Sequence, residues 1–187
     1  MKTKCMKLAL FALCGLILLP QSAAAYEVTD SQAIQLDDNT YLFTISYKFG
    51  FLNRNMATPM FASNSPDSED KVGYQINING EPATGIQGAV VLTKSENVTE
   101  NSSYYVLPER KNAIFTLVGI VRSDTEVKSA DMIVTKLPYI TNNGEESKLS
   151  GVTDEELLEY KSPTLLITEA GAVSIKSSIV SVSGETK

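Results

Sequence analysis

The stretch Tyr41–Phe51, YLFTISYKFGF, changes character at every step. Tyr41, Phe43, Ile45, Tyr47, Phe49 and Phe51 share one parity, and Leu42, Thr44, Ser46, Lys48 and Gly50 share the other. Alternation sustained this long fits the two-residue side-chain period of a strand and no helical period. One face is aromatic. The other suits water, with only Leu42 apolar. The sequence therefore predicts a long strand whose aromatic face is the inner wall of a sandwich, set against the strand at 112–122.

The same period recurs along the chain. Ser31–Leu36 and Thr40–Phe51 flank Asp37-Asp38-Asn39, which predicts a hairpin. Val72–Ile78 runs straight into Asn79-Gly80, a pair suited to the type I′ turn because both central residues need positive φ. Pro82 has no amide to donate, so the returning strand is expected to be short or at an edge. Further strands are predicted at Gly88–Thr93, Ser103–Leu107, Asn112–Arg122, Asp131–Leu137, Thr164–Thr168 and Ala172–Ser183. The last changes phase near Ser177-Ser178, as a β-bulge would. Asn112–Arg122 is apolar on both parities, which predicts a central strand covered on both faces.

Thr153-Asp154-Glu155-Glu156 has the form of a capping box. With Leu157, Leu158 and Tyr160 following, it predicts one short helix near 154–161, halted before Pro163. No long helices separate the strands, which excludes parallel βαβ units. The fold class expected is all-β: an antiparallel β-sandwich, immunoglobulin-like in general architecture, with about 8–9 strands. The Cys…Trp…Cys pattern of true immunoglobulin domains is missing.

The amino terminus is of another kind. Lys2, Lys4 and Lys7 precede the apolar run Leu8–Leu19, and Ala23-Ala24-Ala25 offers an A-x-A cleavage signal. Residues 1–25 thus read as a cleaved signal peptide, leaving 26–187 as a single β-sandwich domain exported to the periplasm or the exterior. Cys14 sits inside the apolar run and does not follow a small residue at its end, so no lipobox is formed. Both cysteines, Cys5 and Cys14, fall in the leader, and the exported part has no thiol. Three of the 16 basic residues and none of the 22 acidic ones are removed with it, leaving 13 against 22, a balance of −9. An acidic chain without basic clusters argues against nucleic acid and anionic membrane as partners.

The chain contains no histidine. Without His or exported Cys, a Ser-His-Asp triad and a Cys-His pair are impossible, and the usual zinc sites lack their ligands. Carboxylate or Ser-Lys chemistry survives. Ser68-Glu69-Asp70-Lys71 matches S-x-x-K only formally, since the lysine must meet the hydroxyl across a helical turn and here lies in an acidic loop. The expectation is a protein that is not an enzyme and needs no cofactor. It would act in protein–protein interaction or in a cell-envelope or surface assembly, with another envelope or surface protein as partner.

The segment 52–71 has the least strand character, and long irregular loops are often functional. Met56, Met60 and Phe61 in its first half form a candidate interaction loop. The two methionines also admit copper, through thioether ligands. Asp67, Glu69 and Asp70 in its second half form a candidate weak calcium loop, though neither EF-hand spacing nor a turn glycine is present. Small-ligand or metal binding through 52–71 is thus the alternative function. A small outer-membrane barrel and a carboxylate-based hydrolase rank below it. Asn97-Val98-Thr99 and Asn101-Ser102-Ser103 have sequon form, placing 94–103 on the surface.

Overall fold

The computed structural model describes residues 27–51, 55–84, 87–142, 147–151, 154–168 and 171–175. The expected signal peptide, Thr153 of the capping box and the phase change at Ser177-Ser178 lie outside them. In chain order the strands begin with β1 (Glu27–Gln35), β2 (Thr40–Phe51), β3 (Asn55–Pro59), β4 (Ala62–Ser63) and β5 (Val72–Ile78). Next come β6 (Glu81–Pro82), β7 (Gln87–Lys94), β8 (Thr99–Asn101), β9 (Tyr104–Leu107) and β10 (Lys111–Arg122). The series closes with β11 (Ser129–Lys136), β12 (Pro138–Asn142), β13 (Ser147–Gly151), β14 (Thr164–Thr168) and β15 (Gly171–Ile175), with the helix α1 (Asp154–Leu157) between β13 and β14.

The chain is almost entirely β and sandwich-like, with antiparallel sheets packed together. Three hydrogen-bonded sheets carry the strand orders β1-β2-β10-β7, β15-β14-β11-β5-β4 and β13-β12-β3-β9-β8. They are called the first, second and third sheets below. The two-sheet strand order of an immunoglobulin domain is not traced by them.

β2 sets the layout. Its aromatic parity turns inward, and Phe43, Ile45, Tyr47 and Phe49 are wholly buried. Burying side chains of this size stabilises the fold by about 1.5–3 kcal/mol each. The strand expected to face β2 instead lies beside it. β10 pairs with β2 in one unbroken antiparallel register from Lys111↔Phe51 to Arg122↔Thr40. Phe115 therefore reaches the core from the same sheet as Tyr47. The second and third sheets supply the facing layer through Met132, Val134, Ile76, Met56 and Leu107, all buried in one continuous cluster.

Aromatic contacts knit the three sheets together. Phe115 stacks on Tyr47 with ring centroids 5.9 Å apart, meets Phe49 edge-on at 6.3 Å and Tyr105 of β9 at 5.8 Å. Phe49 meets Tyr139 of β12 at 5.7 Å. Tyr47 meets Tyr160 at 5.5 Å. Tilted and edge-on pairs of this kind add to simple burial.

β10 is central in its sheet, as its sequence implied. It is not covered on both faces, because Ile114 and Ile120 stand exposed on the outside. The helix also departs from expectation: α1 is four residues long and stops at Leu157. Beyond it the backbone is drawn into the second sheet. Tyr160 accepts from the Val134 amide at 2.8 Å, and the Ser162 amide donates to Met132 at 2.8 Å. A second helical turn would take Tyr160 out of the aromatic core. β12 and β13 went unforeseen because Pro138 reads as a terminator. It is the first residue of a strand, where a missing amide is tolerated.

Candidate functional site

Within the segment 52–71, the residues from Asn55 to Ser63 carry more strand than their sequence suggests. β3 pairs with both β9 and β12. Met56 faces inward from it and is buried beside Leu107, its register partner. It belongs to the core and offers nothing to a partner from outside. Met60 is partly buried against the same cluster, and its amide donates to the Ser103 carbonyl at 2.9 Å. Only Phe61, 56% exposed, presents itself to solvent.

Asp67, Glu69 and Asp70 are exposed on a tight turn closed by the Ser68 amide donating to Ser65 at 3.3 Å. Among the described residues no three His, Cys, Asp or Glu side chains converge on a metal position. The Ser68 hydroxyl bonds the Ser63 hydroxyl at 3.1 Å, and the residues from Ser68 to Lys71 form no helix. The sequon residues Asn97 and Asn101 are exposed, as expected, but Val98 between them is buried and Thr99–Asn101 forms β8.

Two other surfaces carry more chemistry. The first is the outer face of the first sheet. Strand registers align Ile34, Leu42, Ile120 and Ala89 in one row across its four strands. Val118 and Val91 lie side by side in the next. Ile34, Ile120 and Val91 are 42%, 47% and 52% exposed. Further along, the same face turns polar, with the hydroxyls of Ser46 and Thr116 2.8 Å apart. The apolar half ends at the β1–β2 turn, beside Arg122, which pairs with Asp124 at 3.5 Å. The Asn39 amide and the Thr40 hydroxyl hold the Asp37 carboxyl below its ordinary value, with Arg122 adding to the effect.

The second surface is the outer face of the second sheet, where two clefts meet at Thr135. One, of ≈ 350 Å³, is walled by Ile133, Val134, Leu157 and Leu158, with Lys161 at its side. The other, of ≈ 330 Å³, is polar and is lined by Asn64, Ser65, Pro66, Gln75 and Lys136 among others. Lys136 Nζ donates to the Ser68 carbonyl at 3.3 Å.

Inside the core, the hydroxyls of Tyr47 and Tyr160 are buried without a hydrogen-bond partner among the described residues. Desolvation pushes both well above the ordinary tyrosine value. Neutral and enclosed, they offer no accessible acid or base.

Sequence reasoning passed over Ile34, Ile120, Val91, Leu158 and Lys161. The signal for Ile120 was present as the second apolar parity of residues 112–122, which was assigned to a core. Leu158 was visible too, but as part of a longer helix packed inward.

The fold and these surfaces define an all-β, sandwich-like protein with apolar patches on the outer faces of two of its sheets. No protein-family model matches the chain, and no curated protein matches it significantly.

Proposed function

We propose that the protein is an exported, non-enzymatic β-sandwich that acts by binding another protein in the cell envelope or at the surface. The contact is the apolar half of the outer face of the first sheet. The observation that carries this reading is the row Ile34–Leu42–Ile120–Ala89 with Val118 and Val91 beside it, apolar side chains aligned on a solvent face. Contiguous exposed apolar surface, bordered by polar residues, is a mark of interaction sites. Residue chemistry supports a binding role over catalysis. The chain has no histidine, and among the described residues neither cleft on the second sheet is lined by a carboxylate. The leader-like Lys2–Ala25 sequence supports export to the periplasm or exterior.

The test is site-specific photo-crosslinking in intact cells, with the probe at Ile120 and, as control, at exposed Glu100 on β8. A defined protein adduct from position 120, absent at position 100 and lost in Ile34→Ser/Val91→Ser, is the expected result. A strictly monomeric protein giving no adduct at 120 refutes the reading.

A further inference from the structure

The short helix has a consequence on the outside of the second sheet. The chain leaves α1 at Leu157 and joins β11 three residues after Leu158, through a single antiparallel bridge between Ile133 and Lys161. Residues paired across a bridge project to the same face. Tyr160, one residue earlier, turns inward onto Tyr47, so Lys161 and Ile133 turn outward. Leu158 is left 61% exposed beside them. An exposed leucine, an outward isoleucine and a half-buried lysine thus border one apolar cleft of ≈ 350 Å³. That volume is at the lower end of the range for small-molecule sites.

The lysine is the charged element of this cleft. Lys136 in the neighbouring cleft is engaged by the Ser68 carbonyl. Lys94, on the first sheet, is engaged by Val98 and Glu100. Among the described residues the Lys161 ammonium has neither a hydrogen-bond nor an ion-pair partner, in a chain whose overall charge is −6. Thr135 adds a hydroxyl at the side where the two clefts meet.

We propose that this cleft binds a small amphiphile, an acyl chain ending in a single carboxylate. The chain lies on Ile133, Leu157 and Leu158 and the carboxylate sits against Lys161. At ~30 Å³ for each water-sized group, the cleft holds about ten to twelve heavy atoms, the size of a medium-chain carboxylate. Apolar walls supply attraction without direction, and the single cation fixes which end of the ligand lies where. This site is independent of the protein-binding face on the first sheet, and either can fail without the other.

The experiment is an amide-resolved NMR titration of the folded protein with decanoate, with decanol as the neutral probe and acetate as the head alone. With about a dozen heavy atoms at the efficiency usual for drug-sized ligands, a Kd on the order of 2 mM is expected. Shifts confined to Ile133, Thr135, Leu157, Leu158 and Lys161 are expected with decanoate and absent with acetate. Lys161→Gln should weaken decanoate about three- to fivefold, the upper part of the range of an exposed charge pair, and leave decanol unchanged. Leu158→Gln, at an exposed position, should weaken both. The proposal is overturned by any of three results: shifts absent or scattered at 10-fold excess over that Kd, equal decanoate affinity in Lys161→Gln, or binding of anionic vesicles or a leucine-rich peptide at this cleft with none of decanoate.

Discussion

Replacing Tyr47 or Tyr160 by phenylalanine should stabilise this protein. Both rings are integral to the aromatic core, with their centroids 5.5 Å apart, and Tyr47 also stacks on Phe115. Their hydroxyls, however, are buried with no partner among the described residues. A buried polar group left unsatisfied costs about 1–3 kcal/mol, and replacing it by an apolar group of the same shape removes that cost. The gap left by one oxygen is smaller than a methylene and takes back less than about 1 kcal/mol. The net expectation is about 1 kcal/mol of added stability per substitution, or about 2–4 °C in Tm for a chain of this size.

Tyr105 is the internal control. Its hydroxyl donates to the Leu92 carbonyl at 3.1 Å, so Tyr105→Phe removes a real bond and should cost about 1 kcal/mol. The three variants carry the same chemical change, and the structure assigns them opposite signs. Differential scanning calorimetry decides the matter. A fall in Tm of 2 °C or more for Tyr47→Phe and Tyr160→Phe, about 1 kcal/mol, would show that their hydroxyls are satisfied, and the reasoning would collapse.

Alkaline titration tests the same point from another side. Desolvation, first of the causes, raises Tyr47 and Tyr160 above the ordinary 10.0, so the unfolded chain loses these protons first. The stability they contribute is fully present below pH 10 and falls as pH rises beyond it. The double Phe variant should flatten that fall.

Three further outcomes are expected. On β10, a Cβ added at Gly119 would lie 3.0 Å from Met132 Sδ and 3.4 Å from Val90 Cγ2, where the first and second sheets approach. Gly119→Val should cost about 1–3 kcal/mol by urea unfolding, and Gly119→Ala less, because the thioether end can move. Phe115→Ala, removing the residue that touches three other aromatic rings, should cost about 3–5 kcal/mol by the same assay. Asn79 takes φ 54° in the β5–β6 turn, accepts from the Lys128 amide at 2.7 Å and donates to the Glu126 carbonyl at 3.0 Å. Asn79→Ala should cost about 1–2 kcal/mol and loosen hydrogen-exchange protection at Lys128 and Ser129.

Strand positions were legible where one face is buried, because period two then writes the register directly into the sequence. β5 and β2 matched their expected bounds, and Asn79-Gly80 took the positive φ values that the pair predicts. Neighbours were less legible than positions. β10 was assigned to the opposite layer because nothing in its own residues says which strand lies at its side. Interrupted strands were missed for a related reason. β3 ends in Pro59 and is held by the distant Tyr104–Leu107, while β12 begins with Pro138 and is held by β13 on one side and by the distant β3 on the other. The helix was overestimated because its local cap and apolar residues favour a longer one. The burial of Tyr160 against Tyr47 wins over them.

The candidate site shows the limit more sharply. Met56 drew attention as an apolar residue on a supposed loop, yet an apolar residue between two hidden strands is simply core. Ile114 and Ile120 were assigned to a core because both parities of their strand are apolar, although a central strand needs only one covered face. The same letters can describe a second core layer or an exposed binding surface. What separates them is whether another sheet arrives to cover the outer parity. Here the inner parities of all three sheets are consumed by one core, dense in aromatic rings and held without a cysteine among the described residues. The binding surfaces proposed above therefore draw on the outer parities, Ile120 on one sheet and Ile133 beside Lys161 on another.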